Sequence, residues 1–462
     1  MGNRVFLFET STEDQNRTMD ITSNSFNYPF SMGLLYISSV LKEKGHNVIT
    51  KDYSYFEENK CLEDIKKEII NFRPEVVGIS VLSMTRVSTY KSIRLIKSIN
   101  PDIKIILGGV HPTVMYEQLL NNFPVDVVCI GEAELIINDL VETITSKKRL
   151  NKINNIAYKN KGKIVVTKRN KINMELDDLP YPDYDAYINE NIKTVNMTTS
   201  RGCPNKCSFC CLHNISQQRW RPRNIMKVVD EIEFITKKYP YIKNIQFIDD
   251  TLTLDNKRVI EICKEILKRN IKMNFSCQAR IKPVSNEMFF WMEKAGFETV
   301  CFGIETGSPE LLKSIHKNIT VEDCLNTFKM IKEFRKLKPV KYLMVGFHGE
   351  NEKTVNETID LAKKLHKIVK MDFFAVSPLW VYPGTEAYEI GKNNGWINDS
   401  YWLTDKPCPL YTFEHSEKWL KQMQNKISIE TMLSQGKLYF IKRTILKLAS
   451  NPRYYIKRVF NF

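Results

Sequence analysis

Three cysteines fall in one short loop, Thr199-Ser-Arg-Gly-Cys203-Pro-Asn-Lys-Cys207-Ser-Phe-Cys210. With three and then two residues between them, Cys203, Cys207 and Cys210 can converge on a single metal centre. Three thiolates satisfy three irons of a four-iron cluster and leave the fourth open to a chelating ligand, whereas structural clusters normally take four cysteines. Zinc on the same cysteines, completed by Cys211 or His213, is the competing reading. The loop follows an apolar strand, Thr194–Thr199, and no paired cysteines occur downstream to finish a zinc module. Both features favour iron and sulfur, with Cys211 left as a small loop residue.

Such a loop needs a rigid frame, and the sequence after it supplies strand–helix units. Five further strands end in polar or glycine-rich turns: Asn244–Ile248 before Asp249-Asp250, Met273–Gln278 before Arg280, and Thr299–Phe302 before Gly303-Ile-Glu305-Thr-Gly307. Lys341–Val345 precedes Gly346-Phe-His348-Gly-Glu350, and Phe373–Ser377 runs toward Tyr382-Pro-Gly384. Helical patterns at Lys257–Arg269, Ser285–Ala295, Thr320–Lys336 and Val355–Val369 separate them. Six such units predict an incomplete barrel, whose functional groups belong at the carboxyl ends of its strands. Asp249-Asp250 would otherwise cap a helix, and Arg280 would be a surface charge. Glu305, inside a Gly-x-Glu-x-Gly turn, is harder to assign to structure alone, and His348 reads as a loop residue.

Residues 1–146 alternate in the same way. Arg4–Phe8, Asn47–Lys51, Val76–Ser80, Lys104–Leu107 and Val127–Ile130 read as buried strands. Gly33–Lys44, Leu62–Phe72, Thr89–Asn100 and Glu134–Ser146 read as helices. This predicts a parallel sheet covered on both faces, with ligands at the carboxyl edge. That edge carries Ser80-Val-Leu82-Ser83, Gly108-Gly109-Val-His111 and Gly131-Glu132. Paired glycines let a flat ligand approach the backbone, though by themselves they only mark a tight turn. No G-x-G-x-x-G follows the first strand, which disfavours a nicotinamide or flavin site. Residues 147–190 read as a connector, with a hairpin over Asn155–Lys168 and a proline-rich stretch, Leu179–Asp185. Residues 191–390 form the barrel core, and 391–462 a helical C-terminal region with a basic tail.

The cysteine loop, with Phe209 directly before its last cysteine, resembles the radical S-adenosylmethionine (SAM) superfamily, and the likeness extends over residues 194–390. PFSMGLLYISSVLKEKGHNV, PEVVGISVLS, KIILGGVHPT and VDVVCIGEAE resemble the flavodoxin-like cobalamin-binding domain that precedes many such cores. The resemblance implies a 4Fe-4S cluster on Cys203, Cys207 and Cys210. It implies SAM contacts by Asp249 or Asp250 to the amino group, Glu305 to the ribose and Arg280 near the carboxylate. Ser80, Leu82, Gly108 and Gly109 fall where that family cradles cobalamin, and a side chain at Gly109 is expected to occupy the path of the corrin tail. The D-x-H-x-x-G motif of cobalamin mutases is absent, and His111 is not in its context. The implied chemistry is a 5′-deoxyadenosyl radical that abstracts hydrogen, with methyl transfer to an unactivated carbon. Ring closure or carbon–carbon bond formation without methylation, on a lipid or tetrapyrrole-like substrate, is the alternative. An external electron donor such as flavodoxin or ferredoxin is implied as a partner.

Composition agrees with a folded, multi-domain chain. Its 462 residues, 43% apolar and 26% charged, exclude a disordered or fibrous protein and make room for two or three domains. No apolar run reaches the roughly 18 residues of a membrane span. The N-terminal strand pattern lacks a signal-peptide cleavage site, and eleven cysteines, an odd number, argue for free thiols. A cytoplasmic enzyme with a small-molecule or lipid substrate is therefore expected. The net charge of +15 is uneven: residues 436–462 carry Lys437, Lys442, Arg443, Lys447, Arg453, Lys457 and Arg458 and no acid. Leu438, Ile441, Ile445 and Leu448 fall on one helical face there. Such a segment either packs its apolar face on the barrel with the charges solvated or makes peripheral membrane contact, and nucleic acid is the weaker third reading. A thiotransferase is disfavoured because Cys61 and Cys129 are isolated, and a zinc adaptor because of the six strand–helix units.

Overall fold

Each half of the chain builds a parallel sheet. The computed structural model describes residues 2–12, 31–171, 174–370, 374–410 and 414–434, with 436 and 445 besides. The first half runs β1 (Arg4–Glu9), α1 (Met32–Glu43), β2 (Asn47–Asp52), α2 (Glu58–Phe72), β3 (Val76–Ser80) and α3 (Arg86–Ile99). It continues through β4 (Lys104–Gly108), α4 (Val110–Asn122), β5 (Val127–Cys129) and α5 (Ile137–Thr145). The parallel strands stand in the order β2-β1-β3-β4-β5, the flavodoxin-like winding. Helix α4 was not legible because Pro112 interrupts its pattern; the proline sits in the first turn, where no helical N–H is required of it.

The hairpin expected in the connector is part of this sheet. β6 (Ile156–Asn160) and β7 (Lys163–Val166) add antiparallel to β5, and Lys161 and Gly162 turn the hairpin with positive φ. Ile156, Ala157 and Tyr158 are buried by that pairing.

The second half runs β8 (Thr194–Met197), β9 (Ser200–Arg201), α6 (Leu212–Ser216), β10 (Arg221–Pro222), α7 (Ile225–Lys238), β11 (Asn244–Phe247), α8 (Asn256–Lys268) and β12 (Asn274–Ala279). Then come α9 (Asn286–Ala295), β13 (Phe297–Glu305), α10 (Pro309–Ser314), α11 (Val321–Ile331), β14 (Lys338–Val345), α12 (Glu352–Ile368), β15 (Phe374–Pro378), α13 (Glu386–Asn393) and α14 (Glu417–Leu433). Six strands pair in parallel in chain order, β8-β11-β12-β13-β14-β15, giving the partial barrel. One face packs on the helices through Phe247, Phe275 and Phe297, whose rings lie 5.3–5.7 Å apart. On the other face Asn196, Gln246 and Ser276 stand in one row, with Gln278 exposed one step further along β12.

After β15 the chain returns to the first half. Leu379, Val381, Tyr388, Trp402 and Cys408 share a core with Phe8, Tyr90 and Ile93. Arg86, fully buried, donates to the carbonyls of Ser83, Trp402, Thr404 and Lys406 and stacks 5.0 Å from the Trp402 ring. The stretch expected to be helical from 391 is thus largely an irregular strap up to 410, followed by α14. The basic tail, 437–462, lies outside the described residues apart from Ile445.

Candidate functional site

The cysteine loop is closed at its neck by the short ribbon β9–β10, in which Arg201 pairs opposite Arg221. Gly202 has φ +90°, and a Cβ there would overlap the Arg219 carbonyl, so only glycine fits this neck. Asp249 holds the strand end leading into the loop: it accepts from Thr199 N at 3.0 Å, Thr199 Oγ1 at 2.8 Å and Ser200 Oγ at 2.5 Å. Arg258, on α8, donates to Thr199 Oγ1 and to the Thr199 carbonyl behind it. Within the loop, Cys210 N donates to the Cys207 carbonyl, and Ser208 N to that of Ile315. The Phe209 ring lies 5.9 Å from Phe347, with Lys317 Nζ 5.8 Å above it.

The three thiols share this loop without forming a finished coordination shell; among the described residues no three His, Cys, Asp or Glu stand together at ligating distances. Cys203 Sγ accepts from Asn205 Nδ2. Burial, reinforced by Cys211, Cys207 and Asp250, pushes the Cys210 thiol up to about 12, so a metal must displace its proton. None of the three is in a disulfide.

The carboxyl edges of the two sheets border one cleft of about 330 Å³, lined mainly by apolar groups. The first half contributes Gly33 at the start of α1 and Ser80, Gly108 and Gly131 at the strand ends, and the loop side contributes Gly202 and Asp250. Nothing lies within 4 Å of where a Cβ would stand on Gly33 or Gly108, so bare backbone faces open space. Gly109 lines the same cleft, but its side-chain direction is closed. Its φ is +104°, and its Cβ would press on the Val81 carbonyl oxygen at 2.9 Å. It shapes the turn into α4 while its backbone borders the cleft, and Gly108 is the position where a Cβ would point into open space. Leu82 is not among the lining residues, and its N–H is taken by Thr85 Oγ1. Ser80 Oγ donates to Glu9, whose carboxyl is pushed up to about 8 by burial and by Asp52. His111 is buried between Ser83 and Tyr90, and burial near Arg86 holds it down at about 3.

Residues 20–141 match the family model of the B12 binding domain, and residues 197–362 that of the radical SAM superfamily. An uncharacterized methyltransferase of Pyrococcus horikoshii is 30% identical over 377 residues, 80% of each chain. The chain belongs to the radical SAM superfamily, with an N-terminal B12-binding domain. The anaerobic magnesium-protoporphyrin IX monomethyl ester cyclase of Rubrivivax gelatinosus is 28% identical over 344 residues, 71% of this chain and 61% of that one. Two solved structures share the fold. TsrM from Kitasatospora setae, a radical SAM methyltransferase with cobalamin and a [4Fe-4S] cluster bound, has a TM-score of 0.66 at 17% identity, covering 85% of this chain and 76% of that one. OxsB with aqua-cobalamin and SAM bound has a TM-score of 0.70 at 18% identity, covering 99% and 70%.

The cofactors of this radical SAM protein are therefore a 4Fe-4S cluster, SAM and cobalamin. The residues fit them: three free thiols in one loop suit the cluster, and a glycine-floored apolar cleft suits a flat corrin. The residues expected at SAM have distinct surroundings in the fold. Asp249 is consumed by the loop neck, and α8 is capped by Asp255, not by the Asp pair. Asp250, which accepts from Gly202 N at 2.8 Å, is the member that opens on the cleft; burial pushes its carboxyl up. Glu305 has φ +71° and is buried against Lys317 Nζ at 2.6 Å, a partner that sequence reading did not supply. Arg280 donates to the Lys317 carbonyl, with its guanidinium 4.0 Å from Cys207 Sγ. It thus stands beside the cluster loop and is no stray surface charge. His348 is a loop residue, paired with Glu414 at 2.5 Å. Sequence reading put Glu132 at the ligand edge without a partner and missed Glu134, Arg201 and Arg221; the four join the two halves. The available signal was charge placed directly against strand ends that are otherwise apolar.

Proposed function

We propose that this protein transfers a methyl group to an unactivated carbon of a small molecule, using the cleft shared by its two sheets. That shared cleft is the observation that carries the reading: the bare backbone of Gly33 and Gly108 and the neck of the cysteine loop, Arg201 and Gly202, border the same space. When bound, the cluster and SAM supply a 5′-deoxyadenosyl radical, and cobalamin supplies the methyl group. Cys203, Cys207 and Cys210 hold the cluster, Asp250 accepts from the SAM amino group, and Gly33, Ser80 and Gly108 seat the corrin. The Lys317–Glu305 pair and Arg280 stand beside the cysteine loop, with one Glu305 oxygen left to receive a hydroxyl. The substrate enters the barrel, whose open face presents Gln246, Ser276, Gln278 and Tyr342. An external flavodoxin or ferredoxin delivers the electron.

The cyclase relative makes ring closure the competing outcome. Anaerobic incubation with reductant, cell extract and SAM carrying a deuterated methyl group decides between them. Products that gain the labelled methyl support transfer; products that only lose hydrogen establish cyclisation. Among the described residues no helix is long and apolar enough to cross a membrane. For the basic tail we propose peripheral contact with an anionic bilayer, each basic residue near the surface contributing about 1 kcal/mol. Salt-sensitive flotation on liposomes, lost in a chain ending at Ser434, supports it; equal flotation of both rejects it.

A further inference from the structure

The two arginines at the neck of the cysteine loop face each other across the β9–β10 ribbon. Like charges directly opposite on paired strands oppose the pairing. Here the charges are met from the other half of the molecule. Glu132 takes Arg221 through both carboxylate oxygens and stands 3.7 Å from Arg201. Glu134 takes Arg201 at 2.6 Å, and the Tyr36 ring of α1 lies 4.6 Å under the Arg201 guanidinium. All four charged side chains are at most 17% exposed. The loop's own side offers Asp250, which gives one oxygen to Gly202 N and lies in the field of Arg201 without forming an ion pair with either arginine.

A buried ion network gains little over an apolar contact, but removing one sign from it leaves the other uncompensated. We propose that Glu132 and Glu134 are positioning residues of the cysteine loop: by neutralising Arg201 and Arg221 they make closure of its neck depend on docking of the B12-binding domain. The coupling is reciprocal, so a chain with the domain docked holds its cluster more firmly, and one with the loop closed docks the domain more firmly. The inference rests on the proposed cluster ligands, Cys203, Cys207 and Cys210. It concerns loop closure and requires no methyl transfer.

The test uses the full chain with Glu132→Gln and Glu134→Gln together. Two readouts are taken: iron release from the anaerobically reconstituted protein to bathophenanthroline, and trypsin cleavage of cofactor-free protein after Lys206 or Arg219, both exposed in the loop. Each should accelerate about tenfold or more. Adding Arg201→Met and Arg221→Met should bring both rates back toward wild type, because the repulsion is then gone. A purely structural loss at Glu132 and Glu134 would not be rescued in this way. Unchanged rates in the double variant, or no rescue by the arginine replacements while the melting curve stays normal, overturns the proposal. Glu134→Gln alone, read by the same two rates, serves if the double variant fails to fold. A wild-type chain that takes up no cluster refutes the cysteine assignment, and the trypsin arm still judges the coupling.

Discussion

The adjacent glycines Gly108 and Gly109, at the proposed corrin site, should respond to substitution in opposite ways. Gly109 has φ 104° and ψ −173°, a region in which side-chain-bearing residues cost about 1–3 kcal/mol. Its Cβ would also lie 2.9 Å from the Val81 oxygen and 3.1 Å from the Val81 nitrogen. Both neighbours are backbone, so relief requires moving the strand end, at about another 1–3 kcal/mol. Gly109→Ala should therefore destabilise by about 2–6 kcal/mol, which lowers the melting midpoint by roughly 4–24 °C for a unit of this size. Gly108 has ordinary strand geometry and open space around its Cβ position. Gly108→Val should leave stability unchanged or raised by about 0.4–1 kcal/mol through the unfolded chain. It should nevertheless weaken cobalamin retention at least about tenfold, because the side chain stands in the cleft. The assay is thermal melting of cofactor-free protein, together with absorbance of cobalamin retained after gel filtration. A Gly108→Val chain that keeps cobalamin like wild type, or a Gly109→Ala chain that melts like wild type, would refute the reasoning.

Ala replacements of Cys203, Cys207 and Cys210 should each abolish cluster absorbance, while Cys211→Ala should not; loss in the Cys211 variant alone would reverse the ligand assignment. Arg86→Met should leave the Trp402, Thr404 and Lys406 carbonyls without their donor, at about 1–3 kcal/mol for each one kept from water. Hydrogen exchange of residues 399–410 should rise with the rest of the fold intact, and unchanged protection there would contradict the anchoring role. Because Glu9 is pushed up to about 8 in the fold, the folded chain keeps a proton that the unfolded chain releases above about pH 4.5. That contribution is complete below the unfolded value and declines as pH rises toward 8. Glu9→Gln should flatten this dependence, with a gain near pH 8 and little change near pH 4.5; a variant with the wild-type pH profile would show that Glu9 is not its source.

Much of the architecture was legible because its determinants are local. Short apolar runs bounded by turn residues marked the five parallel strands of the first sheet and the six of the second. Residue spacing alone put Cys203, Cys207 and Cys210 in one loop. The winding order follows almost as directly, since parallel strands joined by helices have few right-handed arrangements. The local signal failed where chemistry is reused for structure. Pro112 concealed a helix that starts just before it, and the hairpin at Asn155–Lys168 looked like a connector because its partner, β5, is distant in sequence.

Tertiary structure alone decided which of the polar residues are available. Asp249 and Asp250 are adjacent in sequence, yet one is buried in the loop neck and the other opens on the cleft, because successive residues at a strand end point to opposite sides. Gly108 and Gly109 divide for a similar reason: one Cβ direction faces open space and the other faces the Val81 backbone. Glu305 acquired Lys317, Arg201 acquired Glu134, and Arg86 acquired the carbonyls of a strap more than 300 residues away, as its Trp402 bond shows. Residue type and spacing determined what this chain can bind; which side chains remain free to bind it depended on long-range partners, since a buried charge must be satisfied wherever the fold brings it.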